Sequence, residues 1–435
     1  MPERPVVLVH GYSDSHRGFR VWKEILDTDF DVRVASYKSL TNEISIKDIA
    51  EGFDRALRCQ AGLDQDQDFD AIVHSTGMLV LRSWLTTYPR RKDRLKHLIA
   101  LAPATWGSPL AHKGRSWLGS VFKGSKNILR PDFLEAGDGV LDGLELGSRF
   151  TWDLAHRDLF GAEIYYGPSR YTPYVFTFCG TEDYGGVRKI VNEPGTDGTV
   201  RLAGVALNSR KAIIDLTERP QDPKRAYFTG FKSVDDLPVV LIDGVNHGTI
   251  MSRPTPELVQ LVRSGLKVGN KPAYDKWLRE AERVSSKGKD GPWQQFVVRL
   301  VDERGDPIPD YNVRLFEGRH ELHDFTADVH AYSGDKSLRN FHVNVSELAD
   351  QKFTNLRMRL IASSGTQLVG YVGYGNGTGA SPHPTMEVVL DITNLVTGDT
   401  KLFYPFTTTL VEIKLNREPL PLNGESRLCR ILREL

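Results

Sequence analysis

The sequence contains little cysteine. Cys59, Cys179 and Cys429 are the only three in 435 residues, and they lie far apart in no metal-ligand spacing. This pattern argues against a cysteine-based metal site and predicts buried free thiols, with one disulfide as the alternative. An excess of either charge is also missing, because lysine plus arginine equals aspartate plus glutamate at 56 each. Without a basic excess we expect no nucleic-acid partner.

Long apolar runs are absent as well, and the proportions of hydrophobic (40%) and charged (26%) residues are those of an ordinary globular protein. The N-terminus MPERPVVLVHG leads directly into a strand-like run and lacks the features of a secretory signal. We therefore expect no transmembrane segment and a cytoplasmic location, or secretion if a leader has been removed. No P-loop or dinucleotide fingerprint is present, so we expect no cofactor.

The chain length predicts two or three domains. The first part alternates apolar, β-branched runs with helical patterns, which predicts a mostly parallel sheet covered on both faces. The predicted strands are 6–10, 30–37, 71–75, 97–102, 174–180 and 238–242, and the predicted helices lie near 18–27, 46–61, 76–88 and 255–267. We assign this α/β domain to residues 1–285, with an insertion at about 104–170.

The last 150 residues show a different pattern. A polar connector at 281–292 precedes short segments that alternate at period two, beginning with QQFVVRLVDERGDPIPDYNVRLFEG. Alternation with turn residues between the runs predicts an antiparallel β-sandwich or barrel over 286–435.

Ser75 lies where the run FDAIVH changes into a helical pattern. A serine on a tight strand-to-helix turn is the position of the nucleophile in a serine hydrolase. Gly77 supplies the small residue two places later, but Val73 stands where a small residue is usual. A buried serine that caps a helix is the alternative interpretation of this site alone.

A serine nucleophile needs a histidine base and a carboxylate that orients it. His247 follows the last apolar strand of the first domain, and Asp197 lies in the glycine-rich turn EPGTDGTV. The order Ser, Asp, His along the chain is that of the α/β-hydrolase fold. Glu182 and Asp183 are rival acids, because they directly follow the strand at 174–180.

These motifs resemble bacterial lipases and esterases of the α/β-hydrolase family over about the first 270 residues. The resemblance rests on VVLVHG, the HSTG around Ser75, APATWGSPLA at 102–111, DGTV around Asp197 and NHG around His247. It implies an α/β-hydrolase fold with Ser75 as nucleophile, Asp197 as acid, His247 as base, and the amides of Tyr12 and Thr76 as the oxyanion hole. His10 is expected to organise the loop that carries Tyr12.

The insertion is expected to form a lid, as in such lipases, or a cap with its own small core. Its apolar residues are candidates to line an acyl pocket or to contact a lipid surface transiently, and they include Trp106, Trp117, Leu118, Val121, Phe122, Phe133 and Leu134. Either arrangement would exclude water from Ser75.

The sequence therefore predicts a lipase or esterase that cleaves carboxylic esters, with lipid or long acyl esters as substrates. Phospholipase, thioesterase and acyltransferase activities use the same residues and stay open. The alternative from another class is a silent hydrolase scaffold whose β-domain binds a surface, a polymer or a partner. The histidines and aspartates of RHELHDFTADVH at 319–330 are expected to be loop residues, and no metal is expected.

Overall fold

The fold was analysed in a computed structural model of the chain. The structure describes residues 4–9, 16–35, 43–111, 138–169, 171–185, 192–217, 237–286, 288, 291–348, 351–374, 382–396 and 402–420. The chain divides into two compact units, of which the first comprises Met1–Ser209 with Ser233–Pro292 and the second comprises Arg210–Lys232 with Trp293–Leu435.

The first unit is built on a six-stranded parallel sheet. Its strands are β1 (Val6–Val9), β2 (Val32–Ala35), β3 (Phe69–His74), β4 (Leu95–Leu101), β5 (Tyr174–Gly180) and β7 (Val239–Ile242). Strand β6 (Ser209–Asp215) lies between β5 and β7 along the chain but belongs to the second unit from Arg210 onward. The sheet order is β2-β1-β3-β4-β5-β7, and every neighbouring pair is parallel. The predicted mostly parallel sheet is thereby confirmed, with strand ends within a few residues of those predicted.

Helices connect these strands. They are α1 (His16–Leu26), α2 (Ile46–Cys59), α3 (Gly77–Thr87), α4 (Asp138–Leu144), α5 (Arg149–Asp158), α6 (Thr249–Ser252), α7 (Pro256–Leu266) and α8 (Lys271–Val284), with short 3₁₀ turns at Pro89–Arg94 and Leu202–Gly204. Helix α2 begins with a capping box, in which the Ser45 hydroxyl accepts the Asp48 N–H and the Asp48 carboxylate accepts the Ser45 N–H. No helix in the described ranges is both long and apolar enough to span a membrane.

Burial of the strands explains their composition. All residues of β1 and β3 are buried, and the unbroken apolar run VVLV of β1 is typical of a strand covered on both faces. Leu8, Ile72, Ile99 and Phe176 from four neighbouring strands share one core with side chains of the surrounding helices. Such a core makes the sheet a rigid platform for the loops at its carboxyl edge.

Helix α8 replaces part of the predicted connector, since the expected polar segment at 281–292 begins inside the helix. Asn270 caps its N-terminus, and Tyr274, Trp277 and Ala281 are buried along one face. The prediction was wrong for 281–284, because the spacing of these three residues, and not the polar residues between them, decides the local structure.

The second unit contains two sheets. Its other strands are β8 (Trp293–Asp302), β9 (Asp310–Glu317), β10 (His320–Glu321), β11 (Val329–Ala331), β12 (Leu338–Asn344), β13 (Leu356–Ser363), β14 (Val369–Val372), β15 (Thr385–Asp391) and β16 (Thr408–Pro419), with 3₁₀ turns at His323–Thr326 and Thr393–Leu395. One sheet has the order β10-β9-β13-β15, and the other has the order β11-β12-β8-β16-β14.

Alternate residues of both sheets form one apolar core, among them Phe296, Leu315, Leu360, Val388 and Ile413. The pairs β8–β12, β9–β13 and β13–β15 are antiparallel, as predicted, whereas β8 and β16 are parallel.

Strand β6 also pairs with β16 in this unit, although it precedes residue 285. By its contacts β6 belongs to the second unit from Arg210 onward, whereas the sequence assigns it to the domain at residues 1–285. Side chains of β6 alone carry no sign of their partner, which follows nearly two hundred residues later along the chain.

Candidate active site

Ser75 occupies a sharp turn between β3 and α3. Its φ is 53°, in the left-handed region that a residue with a Cβ rarely adopts. The Ser75 N–H donates to the Leu101 carbonyl at 3.3 Å, and the Ser75 carbonyl accepts the N–H groups of Met78 at 3.2 Å and Ala104 at 3.0 Å. Backbone bonds on both sides therefore hold the strained conformation, as in a nucleophile turn.

Val73 is accommodated inside the sheet. It is fully buried in β3, with Val9 beside it in β1 and Ala100 beside it in β4. Residues in register on neighbouring strands share a sheet face, so Val73 lies between Val9 and Ala100. The sharp turn at Ser75 forms with valine in this position.

His247 joins Ser75 to Asp197. Its Nδ1 lies 2.9 Å from Asp197 Oδ2 and its Nε2 lies 3.1 Å from Ser75 Oγ. Because a carboxylate only accepts hydrogen bonds, Nδ1 carries the proton and Nε2 is left to accept the serine hydroxyl. Both His247 and Asp197 are fully buried. The three predicted residues are thus brought together in the arrangement of a catalytic triad.

The Asp197 carboxylate is fully hydrogen-bonded. Its Oδ1 accepts the N–H groups of Thr199 at 3.0 Å and Val200 at 2.8 Å, and the Cys179 thiol donates to Oδ2 at 3.6 Å. Burial first, and then the charge of Asp197, raises the pKa of the Cys179 thiol well above its ordinary value, so it stays protonated as a donor. These donors compensate for the loss of water around a buried anion.

The turn after Asp197 requires glycine. Gly198 has a φ of 90°, and a Cβ at this position would lie 2.6 Å from the Tyr184 ring. The Asp-Gly dipeptide therefore serves both local turn formation and the placement of the carboxylate.

The rival acids lie at the start of the same loop. Asp183 is exposed, and its carbonyl accepts the side-chain amide of Asn246 at 3.5 Å. The Glu182 N–H donates to the Val245 carbonyl at 3.0 Å. Both residues contact the segment before His247 through backbone atoms, whereas the carboxylate on the imidazole is that of Asp197.

The N–H of Thr76 is a candidate oxyanion donor. Thr76 is buried at the start of α3, and within the described part of the chain its N–H has no hydrogen-bond acceptor. A free amide beside the serine at a helix N-terminus is what an oxyanion requires. Tyr12, the second predicted donor, and His10 lie outside the described residues.

Only part of the predicted lid is described. Trp106 is buried, and its indole N–H donates to the Ala206 carbonyl at 3.0 Å, which anchors this residue in the interior of the unit. The other candidates lie outside the described residues, namely Trp117, Leu118, Val121, Phe122, Phe133 and Leu134. The described remainder of the insertion contains α4 and α5.

His74 was missed by the sequence analysis. Its Nε2 donates to the His247 carbonyl at 3.1 Å, and the two imidazole rings lie 4.8 Å apart between centroids. Its position next to Ser75 in HSTG was the signal, but nothing local indicates that a residue 173 positions later is its partner. His74 therefore fixes the backbone that carries the base.

A buried ion pair stabilises the helix that follows Ser75. Arg82 donates to both carboxylate oxygens of Asp158 at 2.7 and 2.9 Å and to the Thr105 carbonyl at 2.6 Å. The Tyr166 hydroxyl donates to the same carboxylate at 2.6 Å. Both charged side chains are fully buried. The pair connects α3 to α5 and to the segment after β4. The sequence places Arg82 in an apolar helix but does not indicate that Asp158 is its partner.

No group of three or more histidine, cysteine or acidic residues among those described could hold a metal ion. In the segment 319–330, His323 is 83% exposed at its side chain and lies 3.9 Å from Glu321.

The chain is similar to known proteins in structure and not detectably in sequence family. No protein-family model matches the chain, and no curated protein matches it. Two solved structures of phospholipase PlaB from Legionella pneumophila, one of them in complex with thio-NAD, are similar to it with a TM-score of 0.76. They are 22% identical, and the match covers 99% of this chain and 98% of PlaB.

A mature lipase, BlEst2 from Bacillus licheniformis, is 17% identical over 47% of this chain and 80% of its own, with a TM-score of only 0.33. At these identities the PlaB match bears on the fold, over both units. Together with the parallel sheet and the Ser75 turn, it shows that the chain has an α/β-hydrolase fold followed by a β-sheet unit.

Proposed function

We propose that the protein is a carboxylic-ester hydrolase that acts on lipid or other long acyl esters. The hydrogen-bonded line from Ser75 through His247 to Asp197 carries this proposal. A serine hydroxyl is a poor nucleophile at neutral pH, and a neutral imidazole that accepts its proton is the usual means of activating it.

The proposed reaction has two halves. His247 Nε2 removes the proton from Ser75 Oγ as this oxygen attacks the acyl carbon, and Asp197 stabilises the imidazolium that forms. The Thr76 N–H, with the Tyr12 amide as the second donor, binds the negative oxygen of the tetrahedral intermediate; such a donor contributes about 3 kcal/mol. His247 then protonates the leaving alkoxide, and water releases the acyl group by the same steps.

Two observations support a lipid substrate. The insertion after β4 is rich in aromatic and aliphatic side chains, which suits an acyl chain and transient contact with a lipid surface. PlaB, which matches nearly the whole chain, is a phospholipase. A phospholipid is therefore the second candidate, beside simple acyl esters.

A fluorophosphonate probe followed by peptide mass spectrometry tests the proposal. We expect a single label on Ser75, lost in Ser75→Ala while the thermal unfolding midpoint is unchanged. Absence of label, or label that persists in Ser75→Ala, would leave the hydrolase unit as a scaffold and the β-unit as the functional part.

Substrate class is tested with esters of increasing acyl length and with phospholipid vesicles. We expect kcat/KM to rise with chain length in wild type and to be lost in Ser75→Ala. Preference for short soluble esters would contradict a lipid substrate without affecting the assignment of Ser75.

A further inference from the structure

A polar cleft lies where α2, α3, α4 and α5 meet. It has a volume of about 220 Å³, and its walls comprise Lys47, Ser83, Thr86, Thr87, Asp142, Arg149, Phe150, Asp153, Leu154 and Arg157. Ser83 lies six residues after the first residue of α3, which corresponds to about 9 Å along the helix axis. The cleft is therefore separate from Ser75, at the other end of the same helix.

Positive charge exceeds negative charge among the cleft residues that the structure describes, since three of them are cationic and two are carboxylates. Arg149 is paired with Asp153 at 2.9 Å, whereas neither Lys47 nor Arg157 forms an ion pair with any residue that the structure describes. Two cationic side chains are thus available to an anion.

Two helices begin at the cleft. Lys47 is the second residue of α2 and Arg149 is the first residue of α5. Helix N-termini carry about half a positive charge each, which favours anions. The last turn of α3 contributes a partial charge of the opposite sign, but the full charges of Lys47 and Arg157 outweigh it.

Ser83 provides an independent indication of a ligand. The residue is 2% exposed, and its hydroxyl has no hydrogen-bond partner among the described residues. A buried hydroxyl without a partner lowers stability, and alanine at this position would avoid that cost. A ligand that bonds to the hydroxyl would compensate for it.

We propose that this cleft binds a phosphate group, carried by a small phosphate ester or present as the free ion. Lys47 and Arg157 bind the phosphate oxygens, and Ser83 donates a hydrogen bond to them.

Calorimetry with inorganic phosphate and with glycerol 3-phosphate, at low ionic strength on the full chain, tests this proposal. We expect saturable binding, weakened about tenfold or more in Lys47→Ala/Arg157→Ala because two charged hydrogen bonds are lost. The matched control is Lys276→Ala/Arg279→Ala, which removes the same charge from the exposed side of α8 and should bind like wild type.

Equal weakening in both double variants, or no saturable binding of either probe, would overturn the proposal. Tighter binding of glycerol 3-phosphate identifies an ester ligand, and equal binding identifies the free ion. Ser83→Ala separates binding from folding: its unfolding midpoint without ligand should equal or exceed that of wild type, while its phosphate affinity falls several-fold. An unchanged affinity would remove Ser83 from the site and contradict the proposal.

Ser75→Ala should bind phosphate like wild type, so this test is independent of the hydrolase assignment.

Discussion

His247 and Asp197 are joined by two hydrogen bonds. The imidazole Nδ1–H donates to Asp197 Oδ2 at 2.9 Å, and the backbone N–H of His247 donates to the Asp197 carbonyl at 3.1 Å. The second bond connects the two loops whatever the protonation state of the side chains. The carboxylate can therefore be changed without separating the loops, which makes its chemical role testable.

Replacing Asp197 with asparagine should lower kcat by about three to four orders of magnitude, because the amide favours the wrong imidazole tautomer. The backbone bond to His247 should preserve the fold. Asp183→Asn is the matched control on the same loop, and we expect it to retain nearly full activity. Steady-state hydrolysis of a soluble ester measures both; a larger loss in Asp183→Asn would reverse the assignment of the acid.

Replacing His74 separates its hydrogen bond from its ring. His74→Phe keeps an aromatic ring beside His247 but removes the donor, so kcat should fall about tenfold, as expected for a lost buried hydrogen bond. His74→Gln retains a donor near the Nε2 position and should recover part of this loss. The rate of fluorophosphonate labelling of Ser75 checks both variants independently of substrate binding. A larger loss in His74→Gln than in His74→Phe would mean that ring packing, and not the hydrogen bond, matters.

Replacing Arg82 with methionine should lower the free energy of unfolding by about 3–5 kcal/mol, since Asp158 would stay buried without its partner. The double variant Arg82→Met/Asp158→Asn should be more stable than the single one. Arg20→Ala is the exposed control: its ion pair with Glu24 is mostly solvent-accessible and should contribute under about 1 kcal/mol. Urea unfolding followed by tryptophan fluorescence compares them, and equal losses would contradict the importance of burial.

Stability should depend on the Cys179 thiol at alkaline pH. Its pKa in the folded protein lies well above the ordinary value of 9.0, so below that pH its contribution is complete. As the pH rises above 9.0, the unfolded chain loses the thiol proton first, and the folded state is progressively destabilised. Cys179→Ala should therefore show a shallower decrease in unfolding midpoint between pH 8.5 and 10. Parallel curves for the two proteins would contradict the raised pKa.

Thiol reagents provide a control for that result. The prediction of a buried thiol was wrong for Cys59, which is exposed, whereas Cys179 is buried as predicted. Native protein should therefore be modified at Cys59 and protected at Cys179 until it unfolds. Rapid modification of Cys179 in native protein would mean that the thiol is accessible.

Much of the site could be predicted because its signals are local. Ser75 lies at a change from strand to helix, Asp197 precedes a glycine in a turn, and His247 follows an apolar strand. The carboxyl ends of parallel strands meet at one sheet edge, so Ser75, His247 and an acid from the loop after β5 were expected to meet there, and the resemblance of the DGTV turn favoured Asp197 as that acid.

The residues that were missed act through distant partners. Arg82 pairs with Asp158, and His74 bonds to the carbonyl of His247, yet neither contact has a periodic or compositional signature. Strand β6 was overlooked for the same reason, because its pairing with β16 depends on a segment from the other end of the sequence. The last turn of α8 was predicted as a connector, because its polar residues outnumber the buried ones on a single face of the helix.

The sequence by itself determined the parallel sheet, the β-rich second part, and Ser75 and His247 as the candidate nucleophile and base, since strand periodicity and turn chemistry act over a few neighbouring residues. Tertiary structure alone decided that Asp197, and not Asp183, faces His247, because the loop after β5 buries one carboxylate against backbone donors and leaves the other exposed. It also placed Val73 between Val9 and Ala100 in the sheet, because register between strands is not a local property.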